Sequence, residues 1–416
     1  MSVLSDPEWH HVPMRPDAAR WATWRSTRRV LIVVHTVTTG QRLLEVARLL
    51  EGDPRVQIVF TRAPDVFSNG VAGFLDGLGA VVLPWRQAVQ TSFDLALASG
   101  HEGLHELHAP VVVLPHGAGH NKLIAGGRPA RAVADRGVYG LSRQWLVRDG
   151  AVVPDTIVLA HREDLVRLGR HCPEALPVAE VVGDPCYDRI RASMGLRALY
   201  RTAMGVEPRQ RLVVVSSTWG PNSLMARSPR LMQRLVRELP RQDCRPALLL
   251  HPNAWNAHGE WQIRVWLAEL RRAGLALVSQ HADWTGVLVA ADYIVSDHGS
   301  MALYAAATGA PVLMDGCPEA DVDPGSPVAG LSLFARRINA SQPVRGQLAR
   351  SLAEYRQEDY TRVAARITSE PGRFGVNMRA LLYRKLRLRA PAGSPDTQPA
   401  RRPELVRECD HGTGVL

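Results

Sequence analysis

A strand-sized apolar run followed by a helix-patterned segment recurs along most of this chain, and that alternation decides the fold class. Residues 29–37, RVLIVVHTV, are apolar without a polar face. Such a run fits a strand covered on both sides in a parallel sheet. QRLLEVARLLEG then follows at helical spacing and closes on Gly52. The same reading places strands at 56–60, 80–83, 93–98, 110–115, 156–160 and 178–182. A polar, Arg-rich helical stretch near 188–209 separates these from a second series at 211–216, 246–250, 275–278, 292–295 and 311–314. Alternation of this kind specifies an α/β architecture.

The chain has 416 residues, enough for two such domains. The expected division is an N-terminal extension over 1–28, a first Rossmann-like domain over 29–190 and a second over 191–390. A disordered tail is expected over 391–416, where Pro, Arg and Gly accumulate. Ligands of parallel α/β sheets bind outside the carboxyl ends of the strands. The expected site is therefore a cleft across which the two domains face each other.

The net charge is +10, and only Lys122 and Lys385 among the 50 basic residues are lysines. A basic balance favours anionic partners. No helix-turn-helix, RRM or zinc-finger pattern accompanies it, so no specific nucleic-acid partner is expected. The five Cys form no CxxC pair, as in a reduced, cytoplasmic protein. No apolar run reaches the roughly 20 residues of a membrane-spanning helix. The basic stretch 379–389, RALLYRKLRLR, reads either as a dock on the inner face of an anionic membrane or as a solvated helix face.

The residues that carry chemistry sit just past the strand ends. His116, Gly117 and Lys122 lie in HGAGHNK after strand 110–115. His116 is placed to act as a general base, the glycines admit a ligand close to the backbone, and Lys122 adds a charge for phosphate. A helix start is expected to follow. Ser217, Thr218 and Trp219 follow strand 211–216, and their hydroxyls and amides suit a phosphate. His251 precedes Pro252 at the end of strand 246–250. Asp297, His298, Gly299 and Ser300 precede the apolar helix after strand 292–295, a cradle for a pyrophosphate.

His-Glu-Gly-Leu-His at 101–105 has the form of a zinc-protease motif. Gly103 inside it and Pro110 beyond it leave no room for the helix such a site needs, so no metal is expected. No G-x-G-x-x-G or Walker A sequence is present.

Five segments together resemble the CDP-glycerol glycerophosphotransferase family, the polymerases and primases of wall teichoic acid, within the GT-B fold. Val113-Leu-Pro-His-Gly-Ala-Gly-His-Asn-Lys122 is similar to that family's W-H-G-T-P-L-K segment, and Val182-Gly-Asp-Pro-Cys-Tyr-Asp188 to its G-x-P-R-x-D turn. Val215-Ser-Ser-Thr-Trp219 is similar to Y-A-P-T-W/F, Leu250-His251-Pro252-Asn253 to H-P-H/N, and Ile294-Val-Ser-Asp297-His-Gly-Ser300 to I-T-D-Y-S-S. The resemblance covers residues 110–315. It implies His116 as the base toward an acceptor hydroxyl. His251, Thr218 and Ser300 would contact a donor pyrophosphate, and Asp297 would shape their site.

The implied reaction moves a glycerol-phosphate, polyol-phosphate or sugar group from a CDP- or UDP-linked donor to a hydroxyl acceptor. That acceptor would be lipid-linked in cell-envelope biosynthesis, and no further cofactor is required. Gly299 departs from the family's first Ser, and Tyr304 and Ala305 stand where many GT-B enzymes carry an acidic residue. A non-catalytic nucleotide-sugar-binding protein and a nucleotide-sugar epimerase of the same architecture are the alternatives.

Overall fold

The computed structural model describes residues 10, 23–24, 26–124, 136–316 and 321–407. Most of the expected extension 1–28, and the end of the expected tail, lie outside them. The chain forms two units. The first comprises the described residues up to Asp188 together with Arg366–Thr397, and the second comprises Arg189–Ala365 with the described residues from Gln398 onward.

In the first unit the strands are β1 (Arg28–Val34), β2 (Val56–Arg62), β3 (Val82–Leu83), β4 (Leu95–Ala98) and β5 (Val111–Val113). A short antiparallel hairpin, β6 (Val147–Arg148) and β7 (Ala151–Val152), precedes β8 (Thr156–Leu159) and β9 (Ala179–Val181). The main sheet runs β3-β2-β1-β4-β5-β8-β9, with every pairing parallel. Val30–Val34 of β1 are wholly buried. Val30, Ile32 and Val34 join one core cluster, while Leu31 and Val33 join another. The period-2 side chains of a central strand thus fill both faces.

The second unit repeats the plan with β10 (Arg211–Ser217), β11 (Cys244–Leu250), β12 (Ala276–Leu277), β13 (Tyr293–Ser296), β14 (Val312–Met314) and β15 (Arg336–Arg337). Its order is β12-β11-β10-β13-β14-β15, again parallel throughout. Each sheet grows outward from its first strand in one direction and then in the other. That reversal is the doubly wound Rossmann arrangement, and ligands bind where the order reverses. The reversal falls between β1 and β4 in the first unit and between β10 and β13 in the second.

The end of the chain departs from expectation. The helix Phe374–Lys385 belongs to the first unit, and Phe374, Met378, Leu381 and Leu382 enter the core beside β1. Tyr383 donates to Asp53 (2.8 Å), whose carboxylate also holds Arg55 (2.7 Å). Arg384 pairs with Glu180 and Lys385 with Asp155. The stretch 379–389 spends its apolar residues on the core, so it presents no apolar face to a membrane. Among the described residues, no helix is long and apolar enough to cross one.

The tail expected to be disordered is ordered through its described residues. Ala400 receives a bond from Tyr200 (2.8 Å) and donates to Ser193 (2.8 Å). Arg401 N donates to Asp283 (3.0 Å). Leu405 bridges Val278 in antiparallel fashion beyond the β12 edge. A row of open backbone groups is a liability at a sheet edge, and this strap satisfies part of it.

Candidate functional site

In the first unit, the loops after β1, β4 and β5 bring four histidines to the carboxyl end of the sheet. His35 follows β1 and is buried. Its Nε2 bonds the Glu102 carbonyl (2.9 Å), and a Cβ on Gly100 would stand 2.7 Å from its ring. His101 follows β4, and His116 and His120 follow β5. Tyr139 packs among them. Its ring centroid lies 6.0 Å from His101, 6.0 Å from His116 and 4.9 Å from Trp145.

The helix expected after His116 does not form there. Gly119 takes a φ of 60°, and Asn121 donates to the Ala118 carbonyl (2.8 Å). The chain then runs antiparallel to 137–139, with Tyr139 N donating to Lys122 O (2.8 Å). That pairing carries Tyr139 to the histidines. Residues 125–135 lie outside the described residues.

The electrostatics follow from crowding. Desolvation pulls His116 down to about 4, with Lys122, Arg42 and His120 adding repulsion. His101 falls to about 3 through desolvation and then the neighbouring histidines. Burial also lowers His35 and His120, and desolvation raises the Tyr139 phenol to about 12. At neutral pH the four imidazoles are uncharged beside the fixed cations Lys122 and Arg42. His116 is the exposed member of the four. In its neutral ring one nitrogen keeps a lone pair that can receive a proton. Arg42 is anchored by Asp184 (3.3 Å), with both side chains almost fully buried.

Gly103 has a φ of 74°, and Leu104–Glu106 form a single 3-10 turn. His101 and His105 therefore share no helical face. Among the described residues, no cluster of His, Cys, Asp and Glu has the make-up of a metal site.

In the second unit, Asp297 after β13 reaches across to the loop after β10. Its Oδ2 accepts from Thr218 N (2.8 Å), Thr218 Oγ1 (2.7 Å) and Leu224 N (3.0 Å). Ser217 Oγ donates to Thr218 O (3.1 Å) and accepts from Met225 N (3.1 Å). Ser217, Thr218 and Asp297 thus fix the loop's shape. His251 caps the helix Pro252–His258, its Nδ1 accepting from Asn253 N (3.1 Å). In the neutral ring this puts the proton on Nε2, as a donor. Trp219 lies 6.4 Å from His251, centroid to centroid. His298 and Gly299 are buried and Ser300 is half-buried at the start of the helix Ser300–Ala306.

Asp315, at the end of β14, accepts from Ser228 (2.6 Å), and burial raises its pKa. Tyr304 is buried and stacks on Trp284 (5.2 Å), so the helix position associated with an acidic residue faces the interior.

His35, His101, Tyr139 and Asp315 were not expected at these sites. His35 and His101 come together through strand order, which one sequence does not reveal; a histidine immediately after a strand is the available signal for His35.

Two Rossmann units carrying polar strand-end loops define a GT-B-type protein, the fold of a large class of glycosyltransferases. The solved wall teichoic acid polymerase TagF has this fold, at a TM-score of 0.55 and 13% identity over 87% of this chain and 89% of that one. A TagF variant soaked for 15 minutes with CDPG aligns over the same shares at 0.56 and 12%. HepE from Anabaena, in complex with UDP and glucose, aligns at 0.47 and 12% over 86% of this chain and 99% of that one. No family model matches the chain, and no curated protein matches it.

Proposed function

We propose that this protein is a transferase that moves a group from a nucleotide-diphosphate-activated donor to a hydroxyl acceptor. The observation that carries the reading is His116, an exposed imidazole just past β5 that is uncharged beside Lys122 and Arg42. His116 takes the acceptor's proton as its oxygen attacks the donor. The new O–P or O–C bond forms as the nucleoside mono- or diphosphate leaves. The second unit serves the donor: His251 Nε2–H and Ser300 meet the phosphates, with Thr218 and Asp297 positioning the loop. Charge on the leaving group is met by preset donors. An arriving phosphate lifts the pKa of His116 toward neutrality, which improves it as a base.

A CDP-linked polyol phosphate is the proposed donor within this class, a narrower assignment that rests on the motif resemblance. The acceptor is proposed to be a lipid-linked hydroxyl compound. Calorimetry against CDP-glycerol, CDP-ribitol and UDP-linked sugars, followed by turnover assays on the hit, tests the reading. His116→Ala is expected to lower kcat by roughly 10²–10⁴-fold with donor affinity retained. His251→Ala is expected to weaken donor binding. A second reading, a nucleotide-sugar-binding protein without turnover, is favoured by the buried Tyr304 where other GT-B members carry a carboxylate. Tight donor binding with no transfer to any hydroxyl acceptor supports it.

A further inference from the structure

The second unit holds another set of cations, at the opposite end of its sheet. Arg241, Arg245, Arg271 and Arg272 line a cavity of about 350 Å³ that Leu405 and Val406 of the terminal strap help to wall. Arg245 lies near the start of β11, whereas His251 follows its end. At about 3.3 Å per residue, the cavity stands roughly 20 Å from His251.

The local structure holds these side chains in place. Arg271 donates to the carbonyls of Val406 (3.0 Å) and Arg407 (2.9 Å), and Arg241 to that of Arg272 (2.9 Å). Gly205 and Gly274, both at positive φ, make room: a Cβ on either would come within about 3 Å of the Arg245 or Arg241 guanidinium. Arg245 Nε is buried and has no hydrogen-bond partner. Glu207 supplies an attractive field at Arg245, and desolvation opposes its charge. Among the described residues, none of the four forms an ion pair. By contrast, Arg197, Arg201 and Arg211 share Asp292 elsewhere in the same unit.

Four arginines line one cavity, and the single field of Glu207 at Arg245 leaves the set with an excess of positive charge. We propose that this cavity binds a small, multiply charged phosphate, a free diphosphate or a small phosphate ester, independently of the candidate site. Planar guanidinium forks match phosphate oxygens two at a time. The bound anion would also hold the strap against β12 through Arg271.

Titration calorimetry of the full chain with inorganic pyrophosphate at constant ionic strength tests this. His251→Ala is expected to keep a saturable site. Arg245→Gln and Arg272→Glu are each expected to weaken it at least tenfold. Arg272 is exposed, so its variant decides the matter should Arg245→Gln fail to fold, with circular dichroism as the check. Unchanged affinity in Arg272→Glu, or loss of all saturable binding in His251→Ala, overturns the proposal. Failure of nucleotide donors to bind would count against the transferase reading alone.

Discussion

Thr218 and Gly299 fit together because residue 299 has no Cβ: one placed there would stand 2.6 Å from Thr218 Cγ2. The departure from Ser at this position therefore has a packing cause. Gly299→Ala is expected to cost about 1–3 kcal/mol through overpacking, read from urea unfolding. Thr218→Ser, which removes the offending methyl and keeps the hydroxyl on Asp297, is expected to restore much of the loss.

Asp297 gathers three donors on one oxygen, so its value lies in positioning. Asp297→Asn offers one acceptor oxygen and an amide that cannot accept. If the amide turns toward the loop, buried donors at Thr218 and Leu224 lose their partner. A loss of about 1–3 kcal/mol is expected in chemical denaturation. Donor affinity should fall with it, because the loop after β10 is no longer held.

Arg42 and Asp184 form an ion pair that is almost completely buried. Removing one partner leaves the other charged and without its counterion. Arg42→Met is expected to cost about 3–5 kcal/mol in denaturation, and Arg42→Met with Asp184→Leu to cost less. The field of Arg42 also depresses His116, so in a folded Arg42→Met variant an NMR titration should place His116 above about 4.

The histidines predict an acid-side loss of stability. His101 and His116 have folded values of about 3 and 4 against an ordinary 6.5. Between those values the unfolded chain binds more protons than the folded one, and stability rises with pH wherever that holds. Tm is expected to be flat between pH 7 and about 9 and to decline from about pH 6.5 toward 4. A folded His101→Asn variant should show a shallower decline in scanning calorimetry across that window.

Much of this fold is legible because central parallel strands must be apolar on both faces. Every expected strand from 29–37 to 311–314 has a counterpart in the two sheets. β15, Arg336–Arg337, carries no apolar run and stays invisible. The sequence places His116, Thr218, His251 and Asp297 beside strand ends, and the structure finds each of them there. His101 was visible only as part of a metal-like motif, because its partners lie on strands far apart in sequence. Ser217 and Thr218 read as phosphate donors, whereas their hydroxyls are committed to Thr218 O and Asp297. Competition between internal bonding and ligand binding is not encoded in residue type.

The route of the chain end bears on how the molecule is made. Residues 366–397 return to the first unit and those from 398 onward to the second, so neither unit is a continuous stretch of polypeptide. During synthesis, β1 has left the ribosome long before the helix Phe374–Lys385 that covers its core. The early portion must then persist with an apolar face open to water, exposed to aggregation or to chaperones. The first unit closes only after residues 366–397 have emerged, and expressing residues 1–188 alone would leave it without the helix that covers its core, whereas residues 189–416 hold every segment of the second unit.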